Sequence, residues 1–265
     1  MPTLRIATWN INSLRLRLPL LERVRDKLNP DVICLQETKV PDEAFPEAAP
    51  AALGYPHYVR RGMKSYNGVA IFSRIPLTLI EDTPDWVGKS DCRHIAVTLG
   101  TDRPITLHNF YVPAGGDIPD LAANPKFAHK LAFLNEATAY FAARARLERT
   151  ILVGDLNIAP LEHDVWNHKA LLNVVSHTPI EVEKHLAWQN TNFIDAPRAL
   201  VPADRKLYSW WSYRNQDWQA SNRGRRLDHV WLTPDLKPIS VETYDDARNW
   251  PQTSDHVPVC VEMEV

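Results

Sequence analysis

One stretch, Thr150-Ile151-Leu152-Val153-Gly154-Asp155-Leu156-Asn157, decides the fold of this chain. Its first four residues are typical of a buried strand, and the strand leads into a glycine, a carboxylate and an amide. Because Asp155 and Asn157 are two positions apart, both side chains can point to the same side of an extended segment. Glycine at position 154 is expected to let the backbone approach a substrate closely, and an Asx turn leading to Pro160 is the structural alternative.

The same pattern, an apolar strand that ends in polar side chains, occurs at three other places. They are Ile33-Cys34-Leu35-Gln36-Glu37-Thr38, Arg226-Leu227-Asp228-His229 and Thr253-Ser254-Asp255-His256. Asn10 and Asn12 close the first strand in the same way. Oxygen ligands at strand ends suit Mg²⁺, which binds one or two carboxylates and keeps positions for water and phosphate. The four strands together predict one metal-dependent site for phosphoryl transfer.

Each of these residues also has an ordinary structural explanation. Glu37 is equally compatible with a helix N-cap or with a surface salt bridge to Lys39. An asparagine after a strand usually serves a turn, and an adjacent Asp255-His256 pair also occurs on surfaces without a role. The repetition of the pattern on four strands favours the site over these separate explanations.

His256 is expected to pair with Asp228 rather than with its neighbour Asp255, because adjacent side chains diverge along a strand. A carboxylate bonded to a histidine fixes the tautomer and raises the pKa of the ring. The imidazole can then stay cationic beside a phosphate or carry a proton. Either Asp155 or His256 is compatible with the role of the base that activates water.

The order of predicted elements indicates two mixed sheets packed face to face with helices outside, in a single domain over residues 1–265. Two strand-helix-strand units are expected. The predicted strands are Leu4 to Ile11, Asp31 to Gln36, Tyr55 to Arg60, Gly68 to Ser73, Leu77 to Ile80, His94 to Leu99, Ile105 to Val112, Thr150 to Val153, Tyr208 to Tyr213, Leu227 to Leu232, Ile239 to Tyr244 and Val257 to Met263. The predicted helices are Pro19 to Leu28, Lys126 to Glu148 and Pro179 to Gln189, the last capped by Thr178.

Composition narrows the class of protein. The formal net charge is -2, so a nucleic-acid partner would have to bind a local basic patch. The three cysteines are far apart and lack metal-binding spacing, which favours a reducing cytoplasm over a disulfide framework. We find no signal peptide and no apolar run long enough to cross a bilayer, and we expect a monomer.

A local basic patch is present between Arg205 and Arg226, where six basic residues stand against one acidic residue. Aromatic residues alternate with these cations, a composition that suits unstacked bases and phosphates. A solvated basic loop over core tryptophans is the alternative. Strand alternation predicts that only one of Trp210 and Trp211 faces a ligand. Arg60 and Arg61, with Lys64 and Tyr66, form a second, weaker cluster that we expect to grip the opposite side of a duplex.

The histidines other than His256 show no ligand spacing, and the motifs of dinuclear phosphatases are absent. An oxygen-rich site for Mg²⁺, or for Mn²⁺ in its place, is therefore favoured over zinc.

Motifs along nearly the whole chain resemble those of the bacterial exonuclease III and AP endonuclease family. They are Thr8-Trp9-Asn10-Ile11-Asn12-Ser13-Leu14-Arg15, Leu35-Gln36-Glu37-Thr38-Lys39, Tyr111-Val112-Pro113, Gly154-Asp155-Leu156-Asn157-Ile158-Ala159-Pro160, Ser209-Trp210-Trp211-Ser212-Tyr213-Arg214, Arg226-Leu227-Asp228 and Ser254-Asp255-His256-Val257-Pro258. The chain departs at Ser13, where the family often has glycine, and residues 161–184 match less securely. The resemblance implies a four-layer α/β/β/α sandwich like that of deoxyribonuclease I.

The resemblance also implies roles for individual residues. The implied catalytic residues are Tyr111 at the scissile phosphate, Asp155 and Asn157 at the attacking water and phosphate, and Asp228 orienting His256. The implied metal ligands are Asn10, Glu37, Asp155, Asn157, His256 and, near a possible second metal, Asp255. The expected DNA-binding residues are Arg60, Arg61, Trp210, Arg214, Arg223 and Arg225.

The implied activity is Mg²⁺-dependent cleavage of duplex DNA on the 5′ side of abasic sites, with 3′ exonuclease and 3′ phosphatase activity on blocked ends. Two alternatives stay open. One is a phosphodiesterase on the same scaffold that acts on RNA or another phosphoester, and the other is a nucleic-acid-binding regulator without catalysis.

Overall fold

The computed structural model describes residues 2–144, 146–215 and 217–265. Its strands are β1 Thr3–Asn10, β2 Val32–Gln36, β3 His57–Arg61, β4 Val69–Ser73, β5 Leu77–Leu79, β6 His94–Leu99, β7 Ile105–Tyr111, β8 Thr150–Asp155, β9 Ile194–Asp195, β10 Trp210–Trp211, β11 Gly224–Arg225, β12 Asp228–Leu232, β13 Lys237–Thr243 and β14 Val259–Glu264. Its α-helices are α1 Leu14–Leu28, α2 Ala49–Ala52, α3 Pro125–Ala142, α4 His168–Leu171, α5 Pro179–Gln189, α6 Ala196–Leu200 and α7 Trp218–Ser221. Short 3₁₀ helices lie at Asp42–Ala44, Trp86–Gly88, Glu162–Asp164 and Asp245–Asn249.

Two six-stranded mixed sheets form the centre of the molecule. The first has the order β13-β14-β1-β2-β4-β3 and the second β5-β6-β7-β8-β12-β9. The pairs β1/β2 and β7/β8 are parallel, while the other pairs are antiparallel. Strands β10 and β11 form a separate two-stranded ribbon. The predicted two-sheet sandwich is therefore confirmed.

Three apolar layers follow from the alternation of side chains along the strands. Inward residues such as Ile6 and Val153 form a core between the two sheets. Outward residues such as Trp9 pack under α1, and those such as Leu152 pack under α3 and α5. The helices outside and the core between the sheets bury both faces of each central strand, so every residue of β2, β4, β8 and β12 is buried.

Helix α1 begins at Leu14, five residues before the predicted start at Pro19, which lies inside the helix. The backbone N–H groups of Ser13 and Leu14 donate to the carbonyl oxygens of Glu37 and Thr38, at 2.8 and 2.9 Å. These tertiary hydrogen bonds fix the first turn. They offset the helical hydrogen bond that is missing because Pro19 has no backbone N–H. The start of α1 is thereby tied to the loop that carries Glu37.

Two other predicted elements are shorter in the structure. Helix α3 ends at Ala142 rather than at Glu148, and position 145 of the predicted helix lies outside the described residues. Most of the described residues from 143 to 148 are exposed and have no apolar face to bury. The predicted strand from Tyr208 to Tyr213 shrinks to Trp210–Trp211, which pairs with β11 and bridges to His256. Among the described residues, no helix has both the length and the apolar character needed to span a bilayer.

Candidate active site

The four predicted strand ends meet at one rim of the sandwich. Asn10 ends β1, and Glu37 follows β2, its parallel neighbour in the first sheet. Asp155 ends β8 of the second sheet and lies opposite Asp228, the first residue of antiparallel β12. The amide nitrogen of Asn10 donates to Glu37 Oε1 at 2.9 Å and to Asp155 Oδ2 at 2.8 Å, so one side chain joins the two sheets.

Glu37 is held by three donors. Asn10 and the Tyr111 hydroxyl both donate to Oε1, the hydroxyl at 2.8 Å, and Lys39 Nζ lies 2.9 Å from Oε2. Burial alone would raise the pKa of Glu37, but the charge of Lys39 and these hydrogen bonds lower it, so the carboxylate is ionised. The salt bridge to Lys39 that the sequence left as an alternative is therefore present together with the site contacts.

Tyr111 keeps its proton. Its ring is almost completely buried, and burial together with the carboxylates of Glu37 and Asp155 raises the pKa of the phenol well above its usual value. Arg93 lies over the ring with its guanidinium carbon 4.8 Å from the centroid. A protonated hydroxyl at this place can donate a hydrogen bond to an anionic group.

Asp155 and Asn157 form a closed local motif at the end of β8. Asp155 Oδ1 accepts from the Asn157 backbone N–H at 2.9 Å, and Oδ2 accepts from Asn157 Nδ2 at 3.2 Å. The same Nδ2 donates to the carbonyl oxygen of Val112. Burial raises the pKa of Asp155 to about 7, against the opposing charge of His256. A carboxyl with a pKa near neutrality suits a general base.

His256 lies between two carboxylates. Its Nδ1 is 2.8 Å from Asp228 Oδ2, and its Nε2 is 3.6 Å from Asp155 Oδ2. The expected pairing with Asp228 is therefore present. Burial lowers the pKa of the imidazole, but the charges of Asp228 and Asp155 outweigh burial and raise it to about 10. His256 is accordingly a cation that lies between the carboxyl groups of Asp228 and Asp155.

Asp255 faces the same pocket but is held by a different set of donors. Trp210 Nε1 donates to Oδ2 at 3.0 Å, and Asn12 Nδ2 donates to Oδ1 at 3.2 Å. The Asn12 amide oxygen in turn accepts from Lys39 Nζ at 2.6 Å. Asp255 is thus linked to Glu37 through Asn12 and Lys39.

Three site residues have left-handed backbone conformations. Asn12, Glu37 and Asn157 have φ angles of 47°, 50° and 55°, a region that asparagine adopts readily and glutamate rarely. At Glu37 such a conformation persists only where surrounding contacts over-determine it. The hydrogen bonds of Asn10, Ser13 and Leu14 supply those contacts around Glu37.

The structure gives a steric reason for glycine at position 154, which differs from the expected one. Its φ angle is 140°, and an added Cβ would lie 1.9 Å from the carbonyl oxygen of Phe110 on the neighbouring strand. Glycine is therefore required by the close pairing of β7 with β8. The expectation that glycine lets the backbone approach a substrate stays a prediction.

The donor set fits a hard divalent cation. Four carboxyl groups, on Glu37, Asp155, Asp228 and Asp255, line or border this pocket against three cationic side chains, those of Lys39, His256 and Arg225. The carboxyl groups therefore outnumber the cations by one. Asp228 Oδ1 is buried without a hydrogen-bond partner in the described part of the chain. The ligand atoms of Asp155, Asp228 and His256 lie within 4.8 Å of one another, so the three side chains could hold a metal ion when the imidazole of His256 is neutral.

Of the two adjacent tryptophans, Trp210 lines the pocket and Trp211 is buried. Trp211 donates to Asn222 and packs against Trp218, so it belongs to the core below the ribbon. Arg225 lies over the Trp210 ring at 5.3 Å from its centroid. The alternation predicted for this strand is confirmed.

The other predicted DNA-binding arginines are distributed unequally. Arg214 and Arg223 are exposed and line a cleft next to the pocket. Arg60 and Arg61 do not form one cluster, because successive side chains of β3 point to opposite faces. Arg60 is ion-paired with Glu47 and stacked on Phe45, while Arg61 donates to Thr83 and to the His94 carbonyl. The structure therefore gives the two arginines different partners, and their contact with DNA stays a prediction.

The pocket has a volume of about 240 Å³ and gathers residues that are distant in sequence. Its lining includes Glu37, Tyr111, Asp155, Asn157, Asp255 and His256 together with Trp210 and Arg225. Sequence reasoning missed Ala114, Gly116, Val175, Ser176 and Leu227, which complete the lining. It also missed Lys130, a buried lysine that donates to the Asn157 carbonyl at 2.7 Å. A lysine in the apolar stripe of a predicted helix is the signal that marks it.

Comparison with known proteins places this site in a family. The model of the endonuclease/exonuclease/phosphatase family matches residues 7–256. The chain is 32% identical to exodeoxyribonuclease III of Haemophilus influenzae, over 98% of this chain and 100% of that protein.

Solved structures give the same result. An AP endonuclease from Archaeoglobus fulgidus superposes with a TM-score of 0.90 at 29% identity, covering 99% of this chain and 100% of the other. The 3′ phosphatase NExo from Neisseria, bound to a product DNA hairpin, superposes with the same TM-score, identity and coverage. The resemblance noted in the motifs is confirmed, and the chain belongs to the endonuclease/exonuclease/phosphatase family.

Proposed function

We propose that this protein is a Mg²⁺-dependent DNA repair nuclease that hydrolyses the phosphodiester on the 5′ side of an abasic site. The same site acts on blocked 3′ ends as an exonuclease and a phosphatase. The proposal includes one domain over residues 1–265, a monomer that acts in the cytoplasm, and Mn²⁺ as a possible substitute for Mg²⁺. The three cysteines, which are free in the structure, agree with a reducing compartment.

One observation carries the proposal. The carboxylates of Glu37, Asp155 and Asp255, the imidazole of His256 and the phenol of Tyr111 line a single pocket whose wall is formed by Trp210 and Arg225. A phosphoryl group needs donors and a base around it, and a nucleotide needs an aromatic surface and a cation nearby. Both requirements are met within 240 Å³.

The residues of the chain have distinct tasks in this proposal. Asp155 accepts a proton from the attacking water, and the hydrogen bonds from Asn10 and Asn157 hold its carboxylate in place. His256, kept cationic by Asp228, faces the negative charge that develops on the phosphate. The reversed assignment, with His256 as the base, stays open because the two groups titrate together.

Glu37 with Asn10 would hold the metal, joined by Asp155, Asn157 and Asp255 as candidates. His256 would join them only in its neutral form, because a protonated imidazole has no free ring nitrogen. When bound, Mg²⁺ supplies positive charge that neutralises the phosphate and the leaving 3′ oxygen. Tyr111 donates a hydrogen bond to an anionic oxygen, and in the structure the acceptor is Glu37 Oε1. The aligned donors fix the phosphate for in-line attack, which is a contribution of positioning rather than of covalent chemistry.

The alternatives predict different behaviour. A regulator without catalysis would bind nucleic acid and cut nothing, with or without metal. A phosphodiesterase for RNA or a small phosphoester would cut those substrates faster than DNA. The stacking of Arg225 on Trp210 beside the pocket favours a nucleic acid over a small phosphoester.

The decisive experiment uses a duplex that bears one abasic analogue, incubated with Mg²⁺ or with chelator. We expect metal-dependent cleavage that leaves a 3′ hydroxyl on the 5′ side of the analogue. Asp155→Asn should lower the rate by several orders of magnitude and keep DNA binding, whereas the exposed-carboxylate control Asp82→Asn should keep full activity. Binding without any cleavage by the wild-type protein would support the regulator and end this proposal.

A further inference from the structure

Beside the pocket lies a second aromatic surface, formed by Trp166 and Trp210 with the arginines of the ribbon. Arg223 lies over the Trp166 ring at 4.9 Å from its centroid, as Arg225 lies over Trp210 at 5.3 Å. The two arginines are two positions apart on an extended segment, so they share one face of it. We call Trp166, Trp210, Arg223 and Arg225 the aromatic shelf.

The shelf continues the catalytic pocket. Its cleft has a volume of about 290 Å³, with Ser212, Arg214 and Asn215 completing the lining. Trp210 and Arg225 line both the cleft and the pocket that contains Asp155 and His256. A group that extends from a phosphate in the pocket would therefore reach the shelf without leaving the protein surface.

The backbone builds the shelf into the fold. The Trp166 N–H donates to the Gly224 carbonyl at 3.1 Å, and Val165 bridges to Arg225 in antiparallel fashion. The 162–166 segment is thus attached to the ribbon as a third, short edge. Trp166 is held in place although part of its ring is exposed.

The two arginines differ in their freedom. The Arg225 guanidinium donates to the Val175 carbonyl at 3.0 Å and to Ser176 Oγ at 2.7 Å, which anchors it. Arg223 is exposed and lies over an accessible tryptophan face. An incoming base can therefore replace Arg223 on Trp166, and the displaced guanidinium stays close enough to bind a phosphate.

We propose that the shelf binds the base of the nucleotide on the 3′ side of the scissile phosphate. This inference rests on the proposed function. An abasic residue at that position has no base to place there, and a terminal 3′ phosphate has no nucleotide beyond it at all. The shelf therefore serves the removal of intact 3′ nucleotides and sets the balance between exonuclease and abasic-site cleavage.

The test compares three substrates with one enzyme in the presence of Mg²⁺: a duplex with a mismatched, frayed 3′ nucleotide, a duplex with one abasic analogue, and a duplex with a 3′ phosphate. Trp166→Ala should lower kcat/KM for the frayed nucleotide by about tenfold, because a stacked base contributes roughly that much binding. Cleavage at the abasic analogue and removal of the 3′ phosphate should change by less than about twofold.

Controls separate stacking from folding. Trp166→Leu keeps apolar volume without an aromatic face and should behave like the alanine variant, while Trp166→Phe should recover most of the exonuclease rate. Trp250→Ala is the control, because Trp250 is also half-buried and Arg23 lies over its ring at 5.5 Å from the centroid. This variant should leave the ratios of the three rates unchanged.

The outcomes distinguish the two proposals. An equal loss on all three substrates, or no loss on the frayed nucleotide, would overturn the shelf. A wild-type protein that cuts none of the substrates would overturn the proposed function. In that case the shelf is tested by binding in the presence of chelator, with the affinities for a frayed duplex and for an abasic duplex measured separately. The shelf proposal holds if Trp166→Leu weakens binding of the frayed duplex alone, and any other result contradicts it.

Discussion

Replacing Lys130 with methionine probes a buried ion pair beneath the catalytic pocket. Lys130 on α3 and Glu181 on α5 are both completely buried, with Nζ 2.6 Å from Oε1. Nζ also donates to the carbonyl oxygens of Asn157, at 2.7 Å, and Ala114, at 3.3 Å. Glu181 accepts from the N–H groups of Ser176 and Thr178. The pair therefore ties together three loops that supply residues to the pocket lining.

The expected cost follows from burial. Removing one partner of a buried ion pair leaves an uncompensated charge and costs about 3–5 kcal/mol. For a protein of this size each kcal/mol lowers Tm by about 2–4 °C, so Lys130→Met should lose roughly 6–20 °C. Activity should fall further than stability explains, because the left-handed backbone of Asn157 loses the donor to its carbonyl.

A second substitution separates these two effects. In Lys130→Met with Glu181→Gln the buried charge is gone, while the glutamine oxygen still accepts from the backbone of Ser176 and Thr178. We expect Tm to recover by several degrees and kcat on an abasic duplex, measured well below Tm, to stay at least about tenfold low.

Lys126→Met on the same helix is the control, because that lysine is exposed and should change neither quantity. Recovery of kcat in step with Tm would show that the pair serves stability alone. In that event Lys130 is not a positioning residue for Asn157.

Two further predictions concern the frame of the site. Gly154→Ala should abolish folding or lower Tm by more than 10 °C, because the new Cβ would lie 1.9 Å from the Phe110 carbonyl oxygen. Gly88→Ala is the control: it has a φ of 59° and nothing within 4 Å of the new Cβ, so it should cost about 1 kcal/mol. A similar Tm for both variants would contradict the steric argument. Despite burial, Arg226 and Arg198 lower the pKa of Asp164 to about 2, so its stabilising contribution is complete above pH 4 and is lost as pH falls through 2. Thermal melts at pH 5 and pH 3 should therefore show a smaller fall in Tm for Asp164→Asn than for the wild type. Asp204→Asn, an exposed control, should match the wild type. If Tm falls as far in Asp164→Asn as in the wild type, other groups cause the acid sensitivity.

Local patterns were sufficient for most of the architecture. Apolar runs such as Thr150 to Val153 mark strands because burial on both faces leaves no polar positions. The capping box that begins with Thr178 marked the start of α5 at Pro179 correctly. Boundaries failed where distant contacts outweighed local preference, as at Leu14, whose N–H is bound by the Thr38 carbonyl.

The candidate site divides in the same way. Strand-end carboxylates and amides were recognisable because hard ligands after an apolar run are unusual, and the structure brings Glu37, Asp155 and His256 to one pocket. The ion pair of Arg60 with Glu47 could not be predicted, because a run of basic residues says nothing about an acidic partner thirteen positions earlier. Trp166 was missed because a single tryptophan in the sequence does not indicate a binding surface. Its role follows only from the contacts of its segment with β11.

The amino-acid sequence by itself determined the two-sheet architecture, the set of polar strand ends and the aromatic, basic character of the ribbon, because each depends on residues that are neighbours along the chain. Only the tertiary structure decided that Asn10 joins the sheets, that Lys130 lies under Asn157 and that Trp166 extends the wall next to Trp210. These contacts join residues 27 to 145 positions apart, and whether they form depends on how the two sheets and their helices pack.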